Sequence, residues 1–156
     1  MGWWRSFRHK AQLARSLTRR EWPALMEAWW RLGRTSLALR RVSYDRLLSS
    51  TRFNPKEKAN PNNDLVFAQR LQQLISMAAR CHIPPKTCLS RAITLHQMLA
   101  RGGIQSRVCI GVGKITNNVQ AHAWVEVEGK AIGEAEDITE RFKVLNPVKK
   151  RNLQTH

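Results

Sequence analysis

The chain has 156 residues, with 27 Lys or Arg against 11 Asp or Glu, so its formal net charge at pH 7 is +16. This length is sufficient for one domain with a substantial hydrophobic core. Three cysteines and no signal peptide predict free thiols in a reducing cytoplasm, not a framework of disulfides. No apolar run approaches the roughly 18 residues that a bilayer span requires, so we expect no transmembrane segment.

Positive charge and tryptophan are concentrated in the first third of the chain. Residues 1–52 hold every tryptophan except Trp124, together with a large excess of Lys and Arg over acidic residues. Apolar residues recur at helical intervals from Trp22 to Leu39, and Pro23 suits the first turn of such a helix. We expect further short helices at Ser6–Arg20 and Asp45–Ser50.

The resulting basic, helical N-terminal subdomain admits three interpretations. In the first, it packs on the rest of the protein with its charges in solvent. In the second, it forms a docking surface for an acidic partner. The third interpretation is attachment to anionic lipid or to nucleic acid.

A polar segment interrupted by prolines, residues 54–63, predicts a linker. It divides the chain into an N-terminal region, residues 1–63, and a core, residues 64–156. Asp64 is then expected to cap a helix that continues to Ala78.

Cys88 is expected at the N-terminus of the next helix. Thr87 is a suitable N-cap, apolar residues follow Cys88 at helical spacing, and Gly102-Gly103 ends the segment. The first turn of a helix has unpaired N–H groups and the positive end of the helix dipole, and both favour a thiolate.

His122 is expected in a strand, Gln120–Val127. Alternation places Ala121, Ala123, Val125 and Val127 on a core face, and His122, Trp124, Glu126 and Glu128 on a face that suits a cleft. Trp124 would shield His122 from water or contact a substrate. A thiol at a helix N-terminus that faces an imidazole on a neighbouring strand can form a thiolate–imidazolium pair, which indicates peptide-bond chemistry.

The other candidate groups indicate structural roles. Cys81 and Cys109 are expected to be buried apolar residues, and His96 a core or cleft-wall histidine. No second ligand pair accompanies Cys81-His82, so we expect no metal site. The glycines of Gly111–Gly113 lack the spacing of a phosphate loop, so we expect no nucleotide or other cofactor.

Four segments between Leu65 and Phe142 together resemble the lasso peptide biosynthesis B2 proteins, leader peptidases of the transglutaminase-like superfamily. The segments are residues 88–95, 99–104, 108–113 and 121–129. The resemblance implies an α+β, papain/transglutaminase-like fold in which the catalytic helix packs on an antiparallel sheet. It also implies a cysteine protease with Cys88 as nucleophile and His122 as general base and acid.

An acidic residue normally completes the triad on the strand after the histidine strand, and Glu134 matches that position here. A three-residue Glu128–Lys130 turn would put Glu134 on the face of His122. A two-residue Gly129-Lys130 turn would instead put Asp137 opposite His122. We favour Glu134 and keep Asp137 as the alternative.

The same resemblance implies the substrate and partners: the leader of a ribosomally made precursor peptide, a separate B1-type leader-recognition protein, and a lasso cyclase. No nucleic acid is expected. Two alternatives remain: a transglutaminase-like acyl transferase with the same triad, and a non-catalytic basic protein that binds peptide or nucleic acid on the same fold.

Overall fold

The computed structural model describes residues 18–19, 21–43, 46–47, 61–81, 87–115, 118–135 and 137–145. The predicted helices Ser6–Arg20 and Asp45–Ser50 lie largely outside these residues, and so do residues 54–60 of the predicted linker. The described elements, in chain order, are α1 (Trp22–Ala38), α2 (Pro61–Arg80), α3 (Cys88–Arg101), β1 (Arg107–Ile115), β2 (Asn118–Val127), β3 (Lys130–Ala131), α4 (Ile138–Arg141) and β4 (Lys143–Val144).

The strands form one antiparallel sheet in the order β3-β2-β1-β4. Strands β1 and β2 pair along their whole length, from Arg107 opposite Glu126 to Ile115 opposite Asn118. The flanking strands β3 and β4 are two residues long and cover only part of each outer edge. Helices packed on this sheet confirm the predicted α+β class.

The three long helices and one face of the sheet enclose the main core. Ala28 and Leu32 of α1 are fully buried in the same cluster as side chains of α2, α3 and β2. The first helix therefore packs into the same core as the Cys88 helix. Within the described residues, no helix is both long and apolar enough to cross a bilayer.

Helix α2 begins at Pro61, so the prediction that residues 61–63 belong to a linker and that Asp64 caps the helix is wrong. Proline lacks an N–H group and has a fixed φ, and both properties suit the first turn of a helix. Asp64 lies in that first turn, where the helix dipole favours its negative charge. The predicted division of the chain at residue 63 falls inside α2.

Both predicted ends of the Cys88 helix are confirmed. The Thr87 side chain accepts a hydrogen bond from the backbone N–H of Ser90 at 3.2 Å. At the other end Gly103 has a φ of 75°, and the N–H of Ile104 donates to the carbonyl of Leu99. This left-handed glycine turns the chain out of the helix towards β1.

The second face of β2 is not the polar cleft that the sequence predicts. Trp124 is 2% exposed and Glu126 is 6% exposed, and α4 with Phe142, which follows it, packs on Trp124. Trp124 packs in a small second cluster with Cys109, Ile138 and Phe142. The Glu126 carboxylate is compensated there by Arg107 and by the indole N–H of Trp124.

The turn between β2 and β3 is Glu128-Gly129. It has two residues, as in the second alternative considered from the sequence, but it lies one residue earlier, so both predicted registers are wrong. Glu128 and Gly129 have φ angles of 51° and 78°, as a tight two-residue hairpin requires. Val127 then pairs with Lys130 and Glu126 with Ala131. The ladder ends one step later, where the N–H of Ile132 donates to the carbonyl of Val125 at 2.8 Å.

Candidate active site

Cys88 is the first residue of α3 and is partly buried at the wall of a cavity of about 40 Å³. The first-turn N–H groups of a helix lack intrahelical partners, so the start of α3 offers backbone hydrogen-bond donors beside Cys88. The cap at Thr87 satisfies the N–H of Ser90, two residues into the helix.

His122 and Glu134 line the same cavity as Cys88. Ala123 and Val125 from one face of β2 also line it, together with Trp124 from the other face. A cavity in contact with both faces of a strand lies at that strand's edge. Because β1 occupies one edge of β2, the cavity lies at the opposite edge, between β2 and the N-terminus of α3.

Glu134 is the acidic residue that contacts His122. Its Oε1 lies 3.1 Å from Nε2 of the imidazole, which is ion-pair distance, although the N–H direction does not meet hydrogen-bond geometry. Both side chains are about one quarter exposed, at 28% and 23%. A carboxylate at Nε2 leaves Nδ1 as the ring nitrogen available to a thiol.

Asp137, the alternative to Glu134, is directed elsewhere. It occupies the N-cap position of α4, its side chain is 51% exposed, and its Oδ2 lies 3.9 Å from Nε of Arg141. The structure therefore brings Cys88, His122 and Glu134 to one cavity and leaves Asp137 outside it.

The rings of Trp124 and Phe142 pack against the imidazole of His122. The His122 and Trp124 ring centroids are 6.2 Å apart with an interplanar angle of 17°, and the Phe142 ring is 5.4 Å from His122. The indole N–H of Trp124 donates to Glu126 at 3.1 Å. The hydrogen bonds from Arg107 and Trp124 outweigh the effect of burial and lower the pKa of Glu126, so this carboxylate is an acceptor at neutral pH.

The glycines of β1 make room for these rings. Gly111 pairs with His122, and a Cβ atom at Gly111 would lie 2.9 Å from atoms of both Trp124 and Phe142. At Gly113 a Cβ atom would lie 2.3 Å from the backbone oxygen of Arg141. Close packing against the second cluster thus accounts for the glycine pattern.

Gln72 and Arg91 also line the cavity, and neither was singled out as a site residue from the sequence. Arg91 follows Cys88 by one helical turn, so helical spacing could have identified it. Gln72 comes from α2, and no local pattern connects it with Cys88 or His122. Its position depends on how α2 packs against α3.

The remaining cysteines and His96 lie elsewhere. Cys81 is exposed because it follows the last turn of α2, so its predicted burial is wrong. The predicted burial of Cys109 is confirmed, and burial, with the nearby Glu126, raises the pKa of its thiol to about 11. His96 contacts the hydroxyl of Ser106 through Nδ1 at 2.9 Å, and burial lowers its pKa. No cluster of three potential metal ligands occurs among the described residues.

A cysteine thiol and an imidazole in contact with a carboxylate can together carry out acyl transfer through a thioester. Comparison with curated proteins and with solved structures returned no match. Comparison with protein families matched residues 29–146 to the Transglutaminase-like superfamily, whose members are typically cysteine-dependent enzymes. This match extends from the middle of α1 to just beyond β4 and covers more than half of the chain, so the protein belongs to the transglutaminase-like superfamily.

Proposed function

We propose that this protein is a cysteine peptidase that removes the leader from a ribosomally synthesised lasso-peptide precursor. The observation that carries the proposal is that Cys88, His122 and Glu134 line the same cavity, with His122 and Glu134 in contact at 3.1 Å. Superfamily membership supports thioester chemistry. The resemblance of residues 88–129 to lasso leader peptidases supports the choice of substrate.

In the proposed mechanism the precursor lies extended across the cavity between α3 and β2. The Cys88 thiolate attacks the scissile carbonyl, and the imidazolium of His122 gives its proton to the departing amine of the core peptide. The leader remains on sulfur as a thioester. Water then attacks this thioester while His122 accepts its proton. The carbon–sulfur bond breaks, which releases the leader with a free carboxyl group and restores the Cys88 thiolate and the His122 imidazolium.

Glu134 and Trp124 act on His122 in this mechanism. Glu134 fixes the orientation of the imidazole and stabilises its protonated form. Trp124, which is 2% exposed and stacked near the ring, excludes water from one side of the imidazole. Trp124 also lines the cavity, where it can contact the substrate.

The proposed partners are a separate leader-recognition protein and a lasso cyclase, with the reaction in the cytoplasm, where the three free cysteines remain reduced. An exposed apolar stripe on α1, here called the α1 surface, supports docking of such a partner. The α1 surface consists of Trp22, Met26, Trp30 and Leu37, which are 50–61% exposed and lie on one side of the helix.

Acyl transfer to an amine is the second candidate function, and superfamily membership supports it as well as hydrolysis. The same residues would form the thioester, and an amine would replace water in the second step. Mass spectrometry of the leader product, with and without an added primary amine, separates the two: hydrolysis gives a free carboxylate, and transfer gives an amide.

Leader removal in the presence of the recognition protein tests the proposal. Cys88→Ala should abolish cleavage while partner binding persists, and His122→Asn should reduce it severely. Cys81→Ala is the matched control, since Cys81 is exposed and outside the cavity, and it should cleave normally. Full cleavage by Cys88→Ala would exclude the peptidase function.

A further inference from the structure

Buried polar side-chain atoms without a hydrogen-bond partner in the protein are concentrated at the Cys88 cavity. Within the described part of the chain there are four such atoms: Gln72 Oε1, Arg91 Nε, His122 Nε2 and Ser36 Oγ. The first three belong to residues that line this cavity. His122 Nε2 already has the Glu134 carboxylate at ion-pair distance, which leaves Gln72 Oε1 and Arg91 Nε without a partner among the described residues. Buried polar atoms normally have partners, because leaving one unpaired costs folding free energy. Their concentration at one place indicates a site that a polar ligand completes.

Gln72 Oε1 and Arg91 Nε are complementary in chemistry. The amide oxygen can only accept a hydrogen bond, and the guanidinium nitrogen can only donate one. A carboxylate would satisfy Arg91 and leave the Gln72 oxygen unpaired, and the cavity already contains the Glu134 carboxylate. A group that offers one N–H and one C=O satisfies both atoms, and a peptide unit is such a group.

Both side chains are held in place from behind. Arg91 Nη2 donates to the hydroxyl of Ser76 at 2.7 Å, and Ser76 lies one turn after Gln72 on α2. The Gln72 side chain packs over Gly133, where a Cβ atom would lie only 2.6 Å from Gln72 Cγ. Gly133 also has a φ of 74° and precedes Glu134. Gln72 and Arg91 are therefore pre-positioned side chains at the cavity, one on α2 and one on α3.

We infer that Gln72 and Arg91 form a clamp for one main-chain amide of the substrate, with Gln72 Oε1 accepting its N–H and Arg91 Nε donating to its C=O. This inference rests on the proposed function and adds the means by which the substrate backbone is aligned over Cys88. The cavity of about 40 Å³ has room for a small polar group such as an amide unit. The clamp recognises peptide backbone and places no demand on the side chain at that position.

Two thiol reagents that differ only in the group accepted by Gln72 test the clamp. N-methyliodoacetamide and methyl iodoacetate both place a carbonyl beside the reactive carbon, but the first has N–H where the second has oxygen. The thiolate displaces iodide and forms a carbon–sulfur bond in each case. Mass spectrometry of digested protein gives the rates at Cys88 and at Cys81, and the exposed Cys81 corrects for the intrinsic reactivity of each reagent.

In the wild type we expect the corrected amide-to-ester rate ratio at Cys88 to be about three- to tenfold, the effect of one hydrogen bond. Gln72→Met keeps the volume but removes the acceptor, so the ratio should fall to about one. Gln72→Glu restores an acceptor oxygen and should restore the preference. Gln73→Met, the exposed neighbour on α2, is the matched control and should behave as wild type.

Arg91→Lys removes the Nε donor while keeping the charge, and should slow both reagents at Cys88 equally because both contain the carbonyl. Arg101→Lys, on the same helix and exposed, should have no effect. A wild-type ratio near one, or a Gln72→Met variant that keeps the wild-type ratio, overturns the clamp, even if its absolute rates fall. None of these measurements requires peptide cleavage, so a protein that shows the preference but removes no leader would contradict the proposed function alone.

Discussion

The Glu134 carboxylate reaches His122 because the chain leaves the regular ladder just before it. Extending the register Glu126↔Ala131 would pair Glu134 with Ala123 and direct its side chain to the face opposite His122. Instead, the ladder ends at Ile132, and Gly133 adopts a left-handed conformation with a φ of 74°. This single glycine changes the direction of the chain and brings the carboxylate to Nε2.

Glu134→Gln should lower kcat for leader removal by roughly 10²-fold, with little change in KM, because the neutral amide stabilises the imidazolium less than a carboxylate does. The substitution keeps the side-chain volume, so the unfolding midpoint should remain near that of wild type. Cleavage kinetics with a purified precursor and recognition protein measure the effect.

Asp137→Asn is the control for this prediction, since Asp137 is exposed and near Arg141 instead of His122. It should retain wild-type kcat. The reverse pattern, with Asp137→Asn impaired and Glu134→Gln normal, would assign the third triad position to Asp137.

At the scale of the elements, α1 is tied to α2 by an ion pair close to the start of α1. Arg70 donates to both oxygens of Glu21, which also accepts from the backbone N–H and the hydroxyl of Thr18. The hydrogen bond from Arg70 and those from Thr18 lower the pKa of Glu21 from 4.5 to about 2. The charged form of Glu21 is therefore favoured in the folded state.

A carboxylate whose pKa is lower in the folded than in the unfolded chain stabilises the fold above its unfolded pKa, near 4.5, and this contribution is lost as pH falls towards about 2. We expect the free energy of unfolding of Glu21→Gln to fall less than that of wild type between pH 5 and about 2. Urea unfolding at a series of pH values measures the difference. Identical curves for Glu21→Gln and wild type would contradict the prediction.

Local sequence signals predicted the elements well and their long-range contacts less well. Helical spacing, Thr87 and Gly102-Gly103 correctly placed α3, because these signals act within one turn of the residues that they order. The turn between β2 and β3 was missed because Glu128, and not only glycine, adopts a positive φ. The burial of Trp124 was missed because it depends on Ile138 and Phe142, which pack on it from later in the chain.

The candidate site divides in the same way. Cys88, His122 and Glu134 could be proposed from sequence because their types and order resemble a known family. Gln72 could not, since it enters the cavity only through the packing of α2 against α3. The alternation of β2 indicates that Trp124 and Glu126 share a face with His122. It does not indicate that Arg107 contacts Glu126, because that contact depends on the β1–β2 register.

At the scale of the whole molecule, the α1 surface lies on the side of α1 opposite its buried residues. Ala28, Leu32 and Thr35 face the core, whereas Trp22, Met26, Trp30 and Leu37 remain exposed. Contiguous exposed apolar side chains often mark interaction sites. The formal net charge of +16 favours an acidic partner and faster association at low salt. Together these features suit an acidic protein partner that buries tryptophan.

Trp30→Ser should weaken the complex with the leader-recognition protein roughly 30-fold, because truncating an interface tryptophan commonly costs about 2 kcal/mol. Leu145→Ser is the matched control, since Leu145 is equally exposed, at 61%, but lies after β4, away from α1.

Calorimetric titration at two salt concentrations measures both affinities. Higher salt should weaken partner binding by wild type and by Trp30→Ser by a similar factor, because the charges are unchanged. Cleavage of a short precursor peptide without the recognition protein should be unaffected by either substitution, since both residues lie outside the Cys88 cavity. Equal affinities of the two variants for the recognition protein would exclude the α1 surface as the docking site.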